Sequence, residues 1–250
     1  MRAAGWGRVG FGRYPMGGGR DPGEPPPEMV LASRSPRRRA IFQALGLRFA
    51  AVAPEIDEAS WSGEDPEQFV RLLAGAKARA VVARLGLRTA PPWVVGADTV
   101  VVVGDRVLGQ PRDVAAARAM MEALSGRAHR VLTGISIWSG PAQLVSFVET
   151  TAVRFRAIGP AELEQYLREG DWEGKAGGYA IQGAAGVFVE AVEGDAWNVV
   201  GFPVRGFLDR ARTAGIPMPE ERKVRPMLAR LWPVVDDEGF AERRWGPRWT

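Results

Sequence analysis

Cysteine is absent from the 250 residues. That excludes a disulfide framework, a thiolate metal site and a cysteine nucleophile. Histidine occurs once, at His129, so no site built on two histidine ligands forms within one chain. A Ser-His-Asp triad would have to use that residue, and no Gly-x-Ser-x-Gly elbow is present. Lysine is scarce, with three (Lys77, Lys175, Lys223) against 30 arginines. A chain that fills its basic surface with arginine leaves few lysines to explain, which draws attention to Lys77 and Lys175. No stretch approaches the ~18 apolar residues of a spanning helix, and no apolar leader stands at the N-terminus. The expectation is a cytoplasmic protein with no membrane attachment.

What remains is ordinary globular composition, 46% hydrophobic and 25% charged, at a length that buries a core without staples. The formal net charge is +4. That balance permits a phosphate-bearing partner without demanding one.

The ends differ from the middle. Residues 1–28 hold eight glycines and five prolines, too little apolar surface to offset their ordering entropy. They read as a disordered extension, and Met29 directly precedes the first strand-like residues, as an upstream start would leave it. Residues 214–250 read as a C-terminal extension of unknown role. From 217 onward they carry five prolines, thirteen charged residues and Trp232, Trp245 and Trp249. Between the ends, strands and helices alternate. Met29–Ala32 is strand-like, and Ser35-Pro36 opens a helix ending near Gly46. Leu47–Val52 is a second strand. Asp65-Pro66 opens a long helix stopped by Gly86. Trp93–Ala97 and Thr99–Val103 flank Asp98, and Gly104-Asp105 turns the chain into Arg106–Leu108. Asp113 caps a helix running to Ser125-Gly126. His129–Trp138 and Leu144–Phe155 read as paired long strands, Pro160–Arg168 as a helix, Val187–Val192 as a strand and Pro203–Thr213 as a final helix. The pattern predicts an α/β fold with antiparallel pairs, hence a mixed sheet.

Three constellations carry chemistry. In Ser33-Arg34-Ser35-Pro36-Arg37-Arg38-Arg39 a strand runs into a capped helix start with four arginines. Helix N-termini and guanidinium forks both favour phosphate oxygens. The plain alternative is a solvated basic patch. In Gly96-Ala97-Asp98-Thr99-Val100 a single carboxylate interrupts an apolar run. A buried carboxylate must be paired, metal-bound or placed at an opening. It suits a general base or a cation ligand, and equally a charge at a strand edge or turn. In Gly174-Lys175-Ala176-Gly177-Gly178-Tyr179-Ala180-Ile181-Gln182-Gly183, glycines let backbone approach a ligand and Gln182 has the donors and acceptor to read a base edge. No Lys-Ser or Lys-Thr follows these glycines, so this is not a Walker motif. Glu55-Ile56-Asp57-Glu58 is either a metal-facing cluster, through Asp57 and Glu58, or a solvated loop. His129 reads as structural. Asn198, the single asparagine, precedes Val199-Val200-Gly201-Phe202-Pro203 and fits a turn.

In their order and spacing these segments resemble the Maf family of nucleoside triphosphate pyrophosphatases. The resemblance runs over about residues 29–213 and includes Lys77-Ala78, Ser125-Gly126, His129 and Thr133-Gly134. It implies an elongated, two-lobed α/β fold with a mixed twisted sheet, related to the inosine triphosphatases, and a cleft between the lobes. It implies hydrolysis of a nucleoside triphosphate to monophosphate and pyrophosphate with a divalent cation, Mg²⁺ or Mn²⁺. The family's proton-accepting aspartate falls on Asp98. Positions tied to substrate choice fall on Arg37, Thr99 and Gln182, and other cleft positions on Ser33, Arg38, Glu58, Lys77 and Lys175. The pairing of Ser-Pro-Arg-Arg, Gly-Ala-Asp-Thr and Tyr-Ala-Ile-Gln-Gly is similar to the branch acting on dTTP and UTP. A branch acting on 7-methyl-GTP carries different residues there. Homodimers are common in the family, and members are linked to arrest of cell division and septum formation.

Two positions depart from the pattern: Phe202 stands where leucine is common, a minor packing change, and the other matters more. Gln110 stands in Leu108-Gly109-Gln110-Pro111 where the family usually has a phosphate-contacting lysine, which predicts weakened or pH-shifted activity unless Arg106 or Arg112 compensates. Two other classes compete with the enzyme. A nucleic-acid-binding module would use the arginine-rich helix start, but acids interleave the arginines and no stacking pattern stands out. A regulator of division that binds nucleotide without cleaving it is the reading to which Gln110 points.

Overall fold

The computed structural model describes residues 26–57 and 65–220. Most of the two expected extensions, with all three C-terminal tryptophans, lies outside them, as does Glu58. The first strand, β1 (Met29–Ala32), leads into helix α1 (Pro36–Ala44) and then β2 (Phe49–Val52). Helix α2 (Pro66–Leu85) precedes β3 (Trp93–Val103), β4 (Arg106–Leu108) and α3 (Val114–Leu124). The long strands β5 (Ala128–Ser139) and β6 (Ala142–Phe155) follow, then α4 (Pro160–Glu169), β7 (Val189–Glu193), α5 (Ala196–Val200) and α6 (Val204–Thr213).

The strands form one seven-stranded sheet in the order β2-β1-β3-β5-β6-β7, with β4 also paired to β3. β1 pairs in parallel with β2 and β3, and the remaining pairs are antiparallel. The expected α/β class and mixed sheet are both present. Helix α2 covers one face, where Val30, Val94, Val100 and Leu132 pack against Val70, Ala78 and Val81. The other face carries the main core, into which α1, α3, α4 and α6 insert Phe42, Met121, Tyr166 and Phe207.

Three local readings change. β3 is continuous, so Asp98 stands inside a strand rather than between two. Residues 184–188 form a 3₁₀ turn, and β7 begins only at Val189. The turn expected at Asn198 is instead the short helix α5. Asp195 caps it, accepting from the Trp197 N–H at 2.8 Å.

α2 lies unusually close to the sheet because glycine stands beneath it. A Cβ on Gly96 would sit 2.1 Å from the Ala74 carbonyl oxygen, and one on Gly134 would sit 2.2 Å from that of Val70.

Two buried titratable groups in this framework oppose each other. Burial lowers the His129 pKa to about 4, against a lesser upward influence from the Arg127 backbone. Burial raises the Asp195 pKa to about 6, opposed by the Trp197 N–H and reinforced by Glu149. A histidine whose folded pKa lies below its unfolded value gives stability present above pH 6.5 and lost as pH falls toward 4. An aspartate whose folded pKa is raised does the opposite: stability grows as pH falls through 6 toward its ordinary value. Each contributes on the order of 2–3 kcal/mol across that window, so the two largely cancel. Asp195→Asn keeps a good cap and removes one side. The variant should melt higher than wild type at pH 7.5 and lose stability steeply between pH 6.5 and 4, where wild type stays nearly level. Parallel melting curves across that range would refute this.

Candidate active site

The register of the sheet creates an opening. β1 pairs with β3 only as far as Ala32 opposite Gly96, and β4 reaches back along β3 only to Val101, opposite Leu108. Between them, residues 97–100 keep β5 on one side and have no strand on the other. A sheet gap exposes backbone polar groups that need partners. Arg38 supplies one, its Nη1 donating to the Ala97 carbonyl at 2.9 Å.

A cleft of about 970 Å³ opens over this gap. One wall is the β1–α1 turn, the residues after β2 and one face of α2. The other is the β4–α3 loop and the glycine-rich segment 174–182. The C-terminal end of α5 meets them at Val199–Gly201.

Asp98 is buried in this cleft and paired with Lys77, Nζ to Oδ1 2.6 Å. Side chains alternate along a strand, so Asp98 projects toward α2 together with Val94, Gly96 and Val100. Lys77 occupies the buried stripe of α2 that includes Val70, Leu73, Ala74, Ala78 and Val81. A lysine at that point of the helical period faces the sheet. The ion pair answers the cost of placing either charge there alone.

Thr99 projects to the opposite face. Its hydroxyl accepts from Arg38 Nη2 at 2.9 Å and lies 2.9 Å from the Thr133 hydroxyl. Arg38 also donates from Nε to the Gly201 carbonyl at 2.9 Å and from Nη1 to the Ser33 hydroxyl at 3.5 Å. One planar guanidinium thereby ties α1, β3 and the end of α5 together, a task for which lysine lacks the geometry. Arg38, expected to bind substrate, lines the cleft mainly as a clamp on its frame. Ser33 likewise accepts from the Ser35 N–H at 3.1 Å. Arg37 is half-buried on the cleft wall and donates to the Val200 carbonyl at 3.4 Å. Burial lowers the pKa of its guanidinium, and the charge of Asp171 works the other way.

The glycine-rich segment is anchored from below. The Tyr179 hydroxyl and His129 Nε2 are 2.8 Å apart, and the Tyr166 hydroxyl donates to the Gly178 carbonyl at 2.8 Å. Gln182, three residues beyond Tyr179, lines the cleft. Lys175 does not line it. Its Nζ is 3.1 Å from Asp171 Oδ1 and donates to the Glu173 carbonyl at 3.4 Å.

The acidic segment after β2 is not brought to Asp98. Glu55 is exposed and paired with Arg84 at 2.6 Å, and Asp57 is exposed and off the cleft wall. Among the described residues no three His, Asp or Glu side chains cluster to hold a metal. Asp98 is the one carboxylate on the cleft wall among them. That donor set does not make a metal cage. It fits a Mg²⁺-type ion that arrives with a triphosphate and keeps mostly phosphate and water ligands.

Sequence reasoning missed Phe69, which lines the cleft from α2. It also missed that the 199–201 backbone receives two arginines. The signal available was the pairing of an arginine-rich helix start with a segment ending in glycine, whose carbonyls are open to donors.

Residues 28–213 match the family model described as "Maf-like protein". A protein of Anaeromyxobacter dehalogenans (strain 2CP-1) named dTTP/UTP pyrophosphatase is 43% identical over 199 residues, covering 78% of this chain and 98% of that one. A protein of Myxococcus xanthus with the same name is 42% identical over 191 residues, covering 76% and 94%. A solved nucleoside-triphosphatase from Mycobacterium abscessus is 21% identical, with a TM-score of 0.34 over 52% of this chain and 74% of that one. With the family model spanning most of the chain and relatives of this identity aligned along nearly their whole length, the chain belongs to the Maf family.

Proposed function

We propose that this protein hydrolyses nucleoside triphosphates, dTTP and UTP foremost, to the monophosphate and pyrophosphate. The observation that carries the reading is a lone carboxylate, Asp98, clamped by Lys77 in a cleft whose other charged wall residues are arginines. A triphosphate needs its charge neutralised and a water held in place. Arg34 and Arg37 on the first wall meet the phosphate chain, while Arg38 keeps the frame rigid beneath them. Asp98 orients a water and accepts its proton as the oxygen bonds to phosphorus. The phosphoanhydride breaks, and pyrophosphate leaves. Lys77 holds the carboxylate in position and offsets charge that builds on the phosphates. Asp98 is the residue that would hold a divalent cation, which would add neutralisation of that charge. Gln182 presents its amide to the base. Thr99 acts on substrate choice through its hold on Arg38. Among the described residues no helix is long and apolar enough to cross a membrane.

The test is pyrophosphate release from a panel of pyrimidine and purine nucleoside triphosphates, each with Mg²⁺ and with Mn²⁺. dTTP and UTP should lead by at least about tenfold in kcat/KM, the scale on which one well-placed base-edge contact discriminates. Leadership by 7-methyl-GTP or another purine would move the chain to a different branch. Activity in none would refute the proposal.

A further inference from the structure

We infer that Arg112 is a phosphate-binding residue of the second cleft wall, which makes that wall a contributor of charge rather than of base contacts alone. The inference rests on the triphosphate reading above and deepens it.

The β4–α3 loop forms the lip of the cleft through Gly109, Gln110 and Arg112. The lip is held in place on both sides. The Gly177 N–H donates to the Gly109 carbonyl at 2.9 Å, tying it to the glycine-rich segment. The Asp113 carboxylate accepts from the Ala116 N–H at 2.7 Å, fixing the start of α3. Gln110 is neutral and Asp113 is committed to its helix cap. The one cation on the lip is therefore Arg112.

Arg112, like Arg34, is also set apart from Lys77, Arg37 and Arg38 by its freedom. Lys77 is paired with Asp98, and the Arg38 guanidinium is spread over three backbone or hydroxyl acceptors besides Ser33. Arg112 is exposed, and among the described residues it has no hydrogen bond or ion pair. An unneutralised guanidinium held at the mouth of a cleft with a single carboxylate attracts anions. It also presents a fork that matches two phosphate oxygens. Arg106, the other nearby cation, is exposed in β4, pairs through its backbone with Val103 and is not on the cleft wall. Of the two arginines near Gln110, only Arg112 lines the cleft. Arg34 and Arg37 line the same cleft from the start of α1, so cations from two separate segments of the chain meet the phosphate chain.

The experiment compares wild type, Arg112→Gln, Arg106→Gln and Arg112→Gln combined with Gln110→Lys. Two readouts are taken: KM for dTTP, and inhibition by inorganic pyrophosphate. Melting temperature is followed alongside, and an exposed side chain without partners should leave it unchanged. Arg112→Gln should raise KM and weaken pyrophosphate inhibition together, by about ten- to a hundredfold, the scale of one lost charged hydrogen bond. Arg106→Gln should change neither, and adding Gln110→Lys should restore most of the loss. Unchanged KM and pyrophosphate inhibition in Arg112→Gln would overturn the inference, as would a wild type insensitive to pyrophosphate. The enzymatic reading fails separately. If wild type cleaves no nucleotide, pyrophosphate binding followed by protection against thermal unfolding still reads Arg112. If wild type cleaves dTTP with the same KM as Arg112→Gln, the function stands and the role of Arg112 falls.

Discussion

Asp98→Asn should lower kcat for dTTP by about 10²–10⁴-fold, the usual contribution of a positioned general base, while binding of the nucleotide persists. The amide keeps an oxygen where Lys77 Nζ now meets Oδ1 at 2.6 Å, so the hydrogen bond survives and the charge does not. Lys77 is then left buried beside a neutral partner. A group in that position costs about 1–3 kcal/mol, so the variant should melt several degrees lower yet remain folded. The separation of effects is the point of the experiment. A variant that binds dTTP as well as wild type and barely turns over has lost chemistry. One that turns over normally removes Asp98 from the mechanism, whatever its stability.

Gly134→Ala should be severely damaging. The new Cβ would lie 2.2 Å from the Val70 oxygen, 2.5 Å from the Val70 carbonyl carbon and 2.8 Å from the Arg71 nitrogen. All three are backbone atoms of α2, so no rotamer change relieves the contact. The helix must lift from the sheet, and overpacking of this kind costs about 3 kcal/mol or more. For a domain of this size that lowers the melting temperature by roughly 10 °C. Because α2 carries Lys77, lifting it also pulls the ammonium from Asp98, and kcat per folded molecule should fall with stability. Gly75→Ala on the same helix is the control. Its Cβ would meet side chains no closer than 3.7 Å, and an interior helical Gly→Ala change there should stabilise by about 1 kcal/mol. Equal effects from the two substitutions would contradict the account of how α2 is seated.

These two glycines also show which parts of the molecule can be read from residues alone. Local signals placed α1, with Ser35 and Pro36 at its start, and α2, with Asp65-Pro66 before it and Gly86 after it. Capping and backbone preference act within a few residues, so a single sequence exposes them. The Asp98 pairing was only half legible. Its carboxylate was bound to need a partner, but Lys77 lies 21 positions earlier, and only helix-to-sheet packing joins them. The position of Lys77 in the apolar stripe of α2 was a usable signal, since a lysine facing solvent would fall off that period. The opening in the sheet was not legible. It arises from the register of β1 and β4 along β3, which depends on where two other strands end.

The arginine cluster illustrates the same limit in another way. Four arginines at one helix start look alike in the sequence, yet they divide, and Arg39 is off the cleft wall. Arg38 is spent on Ala97, Thr99 and Gly201, and Arg34 and Arg37 face the cleft. Residue type gave the chemistry available, and the distribution of backbone acceptors decided which guanidinium was free to use it. Lys175 repeats the lesson, because Asp171 holds it away from the cleft wall that its neighbours Gly174 and Ala176 line.

The most direct test of the central claim is a product analysis of dTTP turnover, with wild type and Asp98→Asn side by side in Mg²⁺. Thymidine monophosphate and pyrophosphate should appear together in equal amounts from wild type, without orthophosphate, and both should nearly vanish in the variant. Release of orthophosphate and diphosphate instead, or equal turnover by the two proteins, would contradict the account.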